Sequence, residues 1–165
     1  MSRSAAIHEA AHAVIARVLG LSCGKVTLEP ETRIRGERDG SGKVVFVHEP
    51  GPLAHAEISR RSYASVKYPG AGTKQACDEA FVIQLYAGHE AECLICGEAE
   101  HNDTHDREDA AAILGDALHR EAELRRKARE LVVEHRAMIE QVATALLEHR
   151  TLYGMQVHMM MGLDG

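Results

Sequence analysis

Five residues near the start of the chain constrain it most: His8-Glu9-Ala10-Ala11-His12. Two histidines four apart reach one ion together when the chain between them is helical, because residues four apart share a helix face. The glutamate between them is turned by about 100° from His8. That sets it beside the open position of an ion rather than on the ion. There it can take a proton from a water that a bound zinc has acidified to a pKa of about 7. The surroundings suit a helix over 2–20. Ser2 or Ser4 can cap it, an alanine-rich stretch follows, and Gly20 stands where a C-terminal glycine belongs. Val14, Ile15 and Val18 can bury the opposite side. With 11 histidines and 18 glutamates in 165 residues, the pattern arises by chance about 0.08 times. The helical context therefore carries the metal reading: two histidines and a glutamate on a buried face are costly without a ligand.

A zinc site of this type needs a third ligand. The metzincin extension fails, since the places for its glycine and histidine hold Ile15 and Val18. Glu31 follows a proline in a charged stretch and reads as a solvated surface residue. The segment from His101 to Ala111 gathers metal-capable side chains at a helix start. Asp103 or Thr104 equally suits an N-cap there, with Asp106 and Glu108 answering the helix dipole. Cap and ligand both stand at this point.

The rest of the chain predicts a mainly α fold with a small β-sheet (α+β), as one domain over 1–165. Strands are expected at 25–29, ended by Pro30, and at 43–48, with an exposed loop or hairpin tip over 31–42. A short helix is expected over 53–63 and a loop over 64–72. A largely apolar helix follows from about 73 to 96, stopped by Gly97, and then a polar loop over 98–105. A long helical region runs over about 106–149, broken near 115–119, and a tail over 150–165 holds a short helix at 154–161. Aromatics are 4% and Trp is absent, so the core must be built from Ala, Leu, Val and Ile. A net charge of -6 disfavours phosphate backbones and so nucleic acid. No apolar run is long enough to span a bilayer. With no charged-then-apolar leader, a cytoplasmic protein with its four cysteines reduced is expected.

Four stretches, in the same order, resemble the peptidase domain of the FtsH family (peptidase family M41), the membrane-bound ATP-dependent zinc proteases. Ala6 to Val14 resembles that family's HEAGHA segment. Val26-Thr27-Leu28-Glu29-Pro30 resembles its following strand. Tyr86 to Glu92, leading to Gly97, resembles its GGRAAEE helix. Lys127 to Leu131, through Ala145 to Glu148 and Leu152, resembles its last long helix and LLE-x-x-TL signature. The resemblance implies a helical zincin fold and zinc-dependent endopeptidase activity on unfolded or flexible protein segments. In that family the third ligand is an aspartate with an alanine four residues later. That carries the role to Asp106, which has Ala110 at this distance, with Asp103 of the Asn102-Asp103 pair as the fallback. The resemblance also implies that Glu92 supports a ligand histidine without touching the metal. Two family positions differ: the HEAGH glycine is Ala11 and the GGR arginine is His89.

The chain has no P-loop, no AAA+ module and no membrane segment, so it resembles the protease part alone. It is then expected to cut already flexible segments or to rely on a separate AAA+ ATPase, with a homo-oligomer as a further option. The alternative is a non-enzymatic zinc-stabilised interaction domain or a regulatory partner of such an ATPase. Cys93-Leu94-Ile95-Cys96 is a CxxC that reads as buried helix rather than a redox or metal site. Strand 43–48 is either ordinary sheet or an edge that pairs with an extended peptide. His48 and His55 read as surface histidines, and Arg120 to Arg129 as a solvated helix face. Met159-Met160-Met161 suits either packing on the domain or docking on a partner.

Overall fold

A computed structural model of the chain describes residues 2–30, 32–50, 54–62, 72–100 and 103–163. Helix α1 (Arg3–Val18) is its centre. The Ser2 hydroxyl caps it by accepting from the Ala5 amide at 3.1 Å, and Gly20 turns the chain out at φ 79°. Ala5, Ala6, Ala10, Ala11, Ala13 and Ala16 are all at most 3% exposed, so neighbouring elements approach α1 closely on several sides. Such a helix is hydrophobic nearly all round because it is surrounded.

Strand β1 (Leu21–Thr27) leaves α1 and is the middle of a three-stranded antiparallel sheet. On one side it pairs with β4 (His55–Ser62), and on the other with β5 (Thr151–Tyr153). Beyond β5 comes a short helix over Gly154–Met160. A Cβ at Gly154 would lie 1.8 Å from the Cys23 carbonyl oxygen, so only glycine lets the chain pass β1 there. The expected helix at 53–63 is thus a strand over its described part. Ala, His and Glu give that segment no strand propensity, and pairing of Ile58 with Cys23 and Ala56 with Val26 overrides it. Of the loop expected over 64–72, residues 64–71 lie outside the described residues, as does Glu31.

Strands β2 (Thr32–Arg38) and β3 (Val44–Pro50) form a separate two-stranded ribbon that packs on itself and on little else. Asp39 closes its turn, its Oδ1 accepting from the amides of Ser41 and Lys43. Of the loop or hairpin tip expected over 31–42, residues 39–42 are the tip and 32–38 are strand. That strand was hidden because both faces are exposed, so no apolar alternation marks it. Strand 43–48 accordingly has β2 as its neighbour, and β4 and β5 are the two outer strands of the main sheet among the described residues.

Helix α2 (Lys74–Ala91), capped by Thr73, packs along α1 and runs into a π-helical turn (Glu92–Cys96) ended by Gly97 at φ 89°. This turn buries Glu92 and Ile95 but exposes Cys93 and leaves Cys96 half-buried, so the CxxC is not the buried helix expected. Then follow α3 (Thr104–Leu114), a 3-10 turn (Gly115–Arg120), α4 (Glu121–Glu134), α5 (Arg136–His149) and, after β5, α6 (Gly154–Met160). The break near Gly115 falls where expected; a second, at His135, was not. Leu124, Ile139, Val142 and Leu146, all fully buried, complete the core around α1. Arg120, just before α4, and Lys127 on it bind Glu79, and Arg129 binds Glu90, so part of the charged run is a seam between α2 and α4, while Arg126 and Glu130 pair on an exposed face as expected. Arg17 donates to His158 at 2.8 Å and ties α6 to α1. Met160 and Met161 pack on the core while Met159 is 72% exposed. Among the described residues, no helix is long and apolar enough to cross a membrane.

Candidate metal centre

The helical run of α1 brings the His8 and His12 rings together, their centroids 4.6 Å apart and nearly edge to face at 77°. Each ring is fixed from behind through Nδ1. His12 Nδ1 donates to the Gln84 carbonyl at 2.7 Å. A carbonyl oxygen only accepts, so the proton sits on Nδ1 and the neutral ring keeps its lone pair on Nε2. His8 Nδ1 donates to Glu92 Oε1 at 2.5 Å. Glu92 is wholly buried, and its Oε2 also accepts from the Ser4 hydroxyl at 2.6 Å and the Glu100 amide at 2.8 Å. One carboxylate thus joins α1, the π turn and the chain leading to α3. A carboxylate or carbonyl behind each imidazole is the arrangement that orients histidines toward a metal.

Asp106, in the first turn of α3, faces the Nε2 atoms of both rings. Its Oδ2 lies 3.5 Å from His8 Nε2 and 3.6 Å from His12 Nε2. Donor atoms of the three residues all lie within 4.8 Å of one another, so the group can hold a metal ion. Ligands 2.0–2.1 Å from a tetrahedral zinc stand about 3.4 Å apart, close to both separations. Space is kept as well: at Gly88, on the facing turn of α2, a Cβ would lie 2.6 Å from His12 Nε2 and 2.7 Å from His8 Nε2. The residues present therefore fit a zinc-sized cation.

Charge is concentrated here. Burial alone lowers the proton affinity of His8, but its hydrogen bonds to Asp106 and Glu92 and the charge of Glu9 outweigh that and raise its pKa to about 10. His12 is pushed up by the same balance, burial against Asp106. Burial would raise Asp106, yet the two imidazoles hold it well below the usual carboxylate range. Three buried groups with this mutual pull favour a cation in their midst, whether two protons or one metal ion. Glu9 is 8% exposed, and its charge acts on both rings.

Asp103 is engaged elsewhere. It stands at the cap position of α3 without making a capping bond, and its Oδ2 accepts from Arg125 Nη2 at 3.1 Å. Arg125 lies 4.3 Å over the Tyr86 ring and also meets Glu90 and Glu121. His48 is exposed and His55 half-buried, and neither joins the metal-capable group. Sequence reasoning assigned no role to Gln84 or Gly88, offered Ser4 only as a helix cap and read Arg125 only as part of a solvated face. For Gly88 a signal existed, since a glycine inside an otherwise strong helix pattern marks a packing or functional need. The others act through a carbonyl or from distant positions, which no spacing rule reveals. No family model matches the chain, and no curated protein matches it.

Proposed function

We propose that the chain is a zinc-dependent metalloendopeptidase acting on unfolded or flexible protein segments. The observation that carries this is the convergence of His8 Nε2, His12 Nε2 and Asp106 Oδ2 with both Nδ1 atoms tied down behind. His8, His12 and Asp106 would hold the ion, and a bound zinc supplies a Lewis acid for the scissile carbonyl and lowers the pKa of a water. Glu9 sits on the same helix but outside the ligand group, so its carboxylate is the base that takes a proton from the attacking water. The same carboxyl then returns a proton to the leaving amine. Glu92 and the Gln84 carbonyl keep both rings aimed and hold their protons on Nδ1.

Strand β4 supports a peptide substrate. Among the described residues no strand pairs with its outer edge, and it packs against both α1 and α2, the helices that frame the site. An extended segment could add to that edge through its backbone, which suits flexible rather than folded substrates. The resemblance to FtsH-type peptidases supports the same reading, and a cytoplasmic setting and a separate AAA+ ATPase as a partner are proposed with it. A non-enzymatic zinc-stabilised domain would have no use for Glu9 beside the ligand pair.

The test is cleavage of casein with added zinc by wild type beside Glu9→Gln. Cleavage by wild type alone is the expected result. Equal cleavage by both would remove Glu9 from the chemistry. Cleavage by neither, with zinc bound, would favour the interaction domain.

A further inference from the structure

We infer that Gly88 keeps the coordination space of the histidine pair open, and that any side chain at this position excludes the ion while leaving the helix able to form. The inference rests on the metal reading of the cluster. Gly88 lies well inside α2, between Ala87 and His89 and one turn before Glu92. Its φ is not positive, so the backbone does not require glycine. Alanine would be the better residue there on helix propensity, and Ala87 and Ala91 show that this helix accepts it.

What glycine supplies is room. An ideal Cβ on residue 88 would meet His12 Nε2 at 2.6 Å, His8 Nε2 at 2.7 Å and His8 Cε1 at 2.8 Å. Those are the two nitrogens that face Asp106. The rings cannot swing aside cheaply. His8 is held by Glu92 and His12 by the Gln84 carbonyl, each through the opposite side of the ring. A methyl group at residue 88 therefore either stands where the ion and its open position must be, or pushes both nitrogens out of register. The same helix delivers the room at Gly88 and the His12 anchor at Gln84, four residues earlier on the same face.

The experiment compares wild type and Gly88→Ala by zinc titration against a chromogenic chelator, and by thermal unfolding with zinc and with EDTA. Wild type should bind one zinc and gain Tm. Gly88→Ala should bind roughly 100-fold more weakly or worse and gain no Tm, while keeping its helical circular dichroism in EDTA. A second pair covers the case in which Gly88→Ala folds poorly. Added to His8→Ala/His12→Ala, where the rings are gone, Gly88→Ala should raise Tm, because only the helix preference for alanine remains. Wild-type zinc affinity in Gly88→Ala, or a lower Tm in the ring-free background, would overturn the inference. Failure of the wild type itself to bind zinc would overturn the metal reading, and this inference with it.

Discussion

Replacing Glu92 by Gln changes one oxygen into an amide nitrogen, preserves volume, and tests how the site is held. Among the described residues Glu92, fully buried, accepts from His8 Nδ1 on Oε1 and from the Ser4 hydroxyl and Glu100 amide on Oε2. A carboxamide has one accepting oxygen. If that oxygen faces His8, the new NH2 meets Ser4 and Glu100. The Ser4 hydroxyl can reverse and accept, but the Glu100 amide cannot, so at least one bond to a charged acceptor is lost at a cost of about 1.5–3 kcal/mol. If the NH2 faces His8 instead, two donors oppose each other and His8 must move its proton to Nε2, the nitrogen a metal needs. Either way zinc affinity should fall by about 10–100-fold, read by competition with a chelator and compared with urea unfolding of the metal-free protein. A variant that loses stability but binds zinc within about twofold of wild type would refute the reasoning. Glu92 would then be packing rather than support for His8.

Asp106→Ala should lose zinc far more than Asp103→Ala, which should instead loosen Arg125 and lower Tm; the reverse ranking in a zinc titration would move the ligand to Asp103. The metal-free protein should lose stability as pH rises from 6.5 toward 10. The raised pKa of His8 gives a contribution that is complete below its ordinary value of 6.5 and vanishes through about 10. Urea midpoints in EDTA, referenced to His8→Ala, check this, and a midpoint that climbs over that range would contradict it. Zinc affinity should rise with pH over the same interval, because binding displaces protons from the two imidazoles. Leu146→Ala, at a fully buried position, should cost roughly 2–5 kcal/mol in urea unfolding without changing the zinc affinity of the protein that remains folded.

Helix α1 was legible because three independent signals agree on it: a Ser cap, an alanine-rich body and a terminal glycine. Helix α2 and the break at Gly115 were legible for the same reason. The ribbon was not, because a strand with two exposed faces carries no alternation, and residues 32–38 are chiefly charged. The β4 segment was missed because pairing with β1, remote in sequence, decided it against local propensity. The break at His135 has no glycine or proline to announce it. At the site, spacing alone gave His8, His12 and Glu9. The resemblance singled out Asp106 from the other metal-capable side chains of its segment and pointed to Glu92, since partners about 80 to 100 residues away leave no local pattern. Residues that act through backbone or empty space, Gln84 and Gly88, became visible only in three dimensions.

The most direct test of the central claim is X-ray absorption spectroscopy at the zinc edge on protein loaded with one equivalent of zinc. The account predicts a first shell of nitrogen and oxygen at about 2.0–2.1 Å with imidazole outer-shell scattering, lost in His8→Ala/His12→Ala. A sulfur shell at about 2.3 Å would place the zinc on the cysteines instead and contradict it.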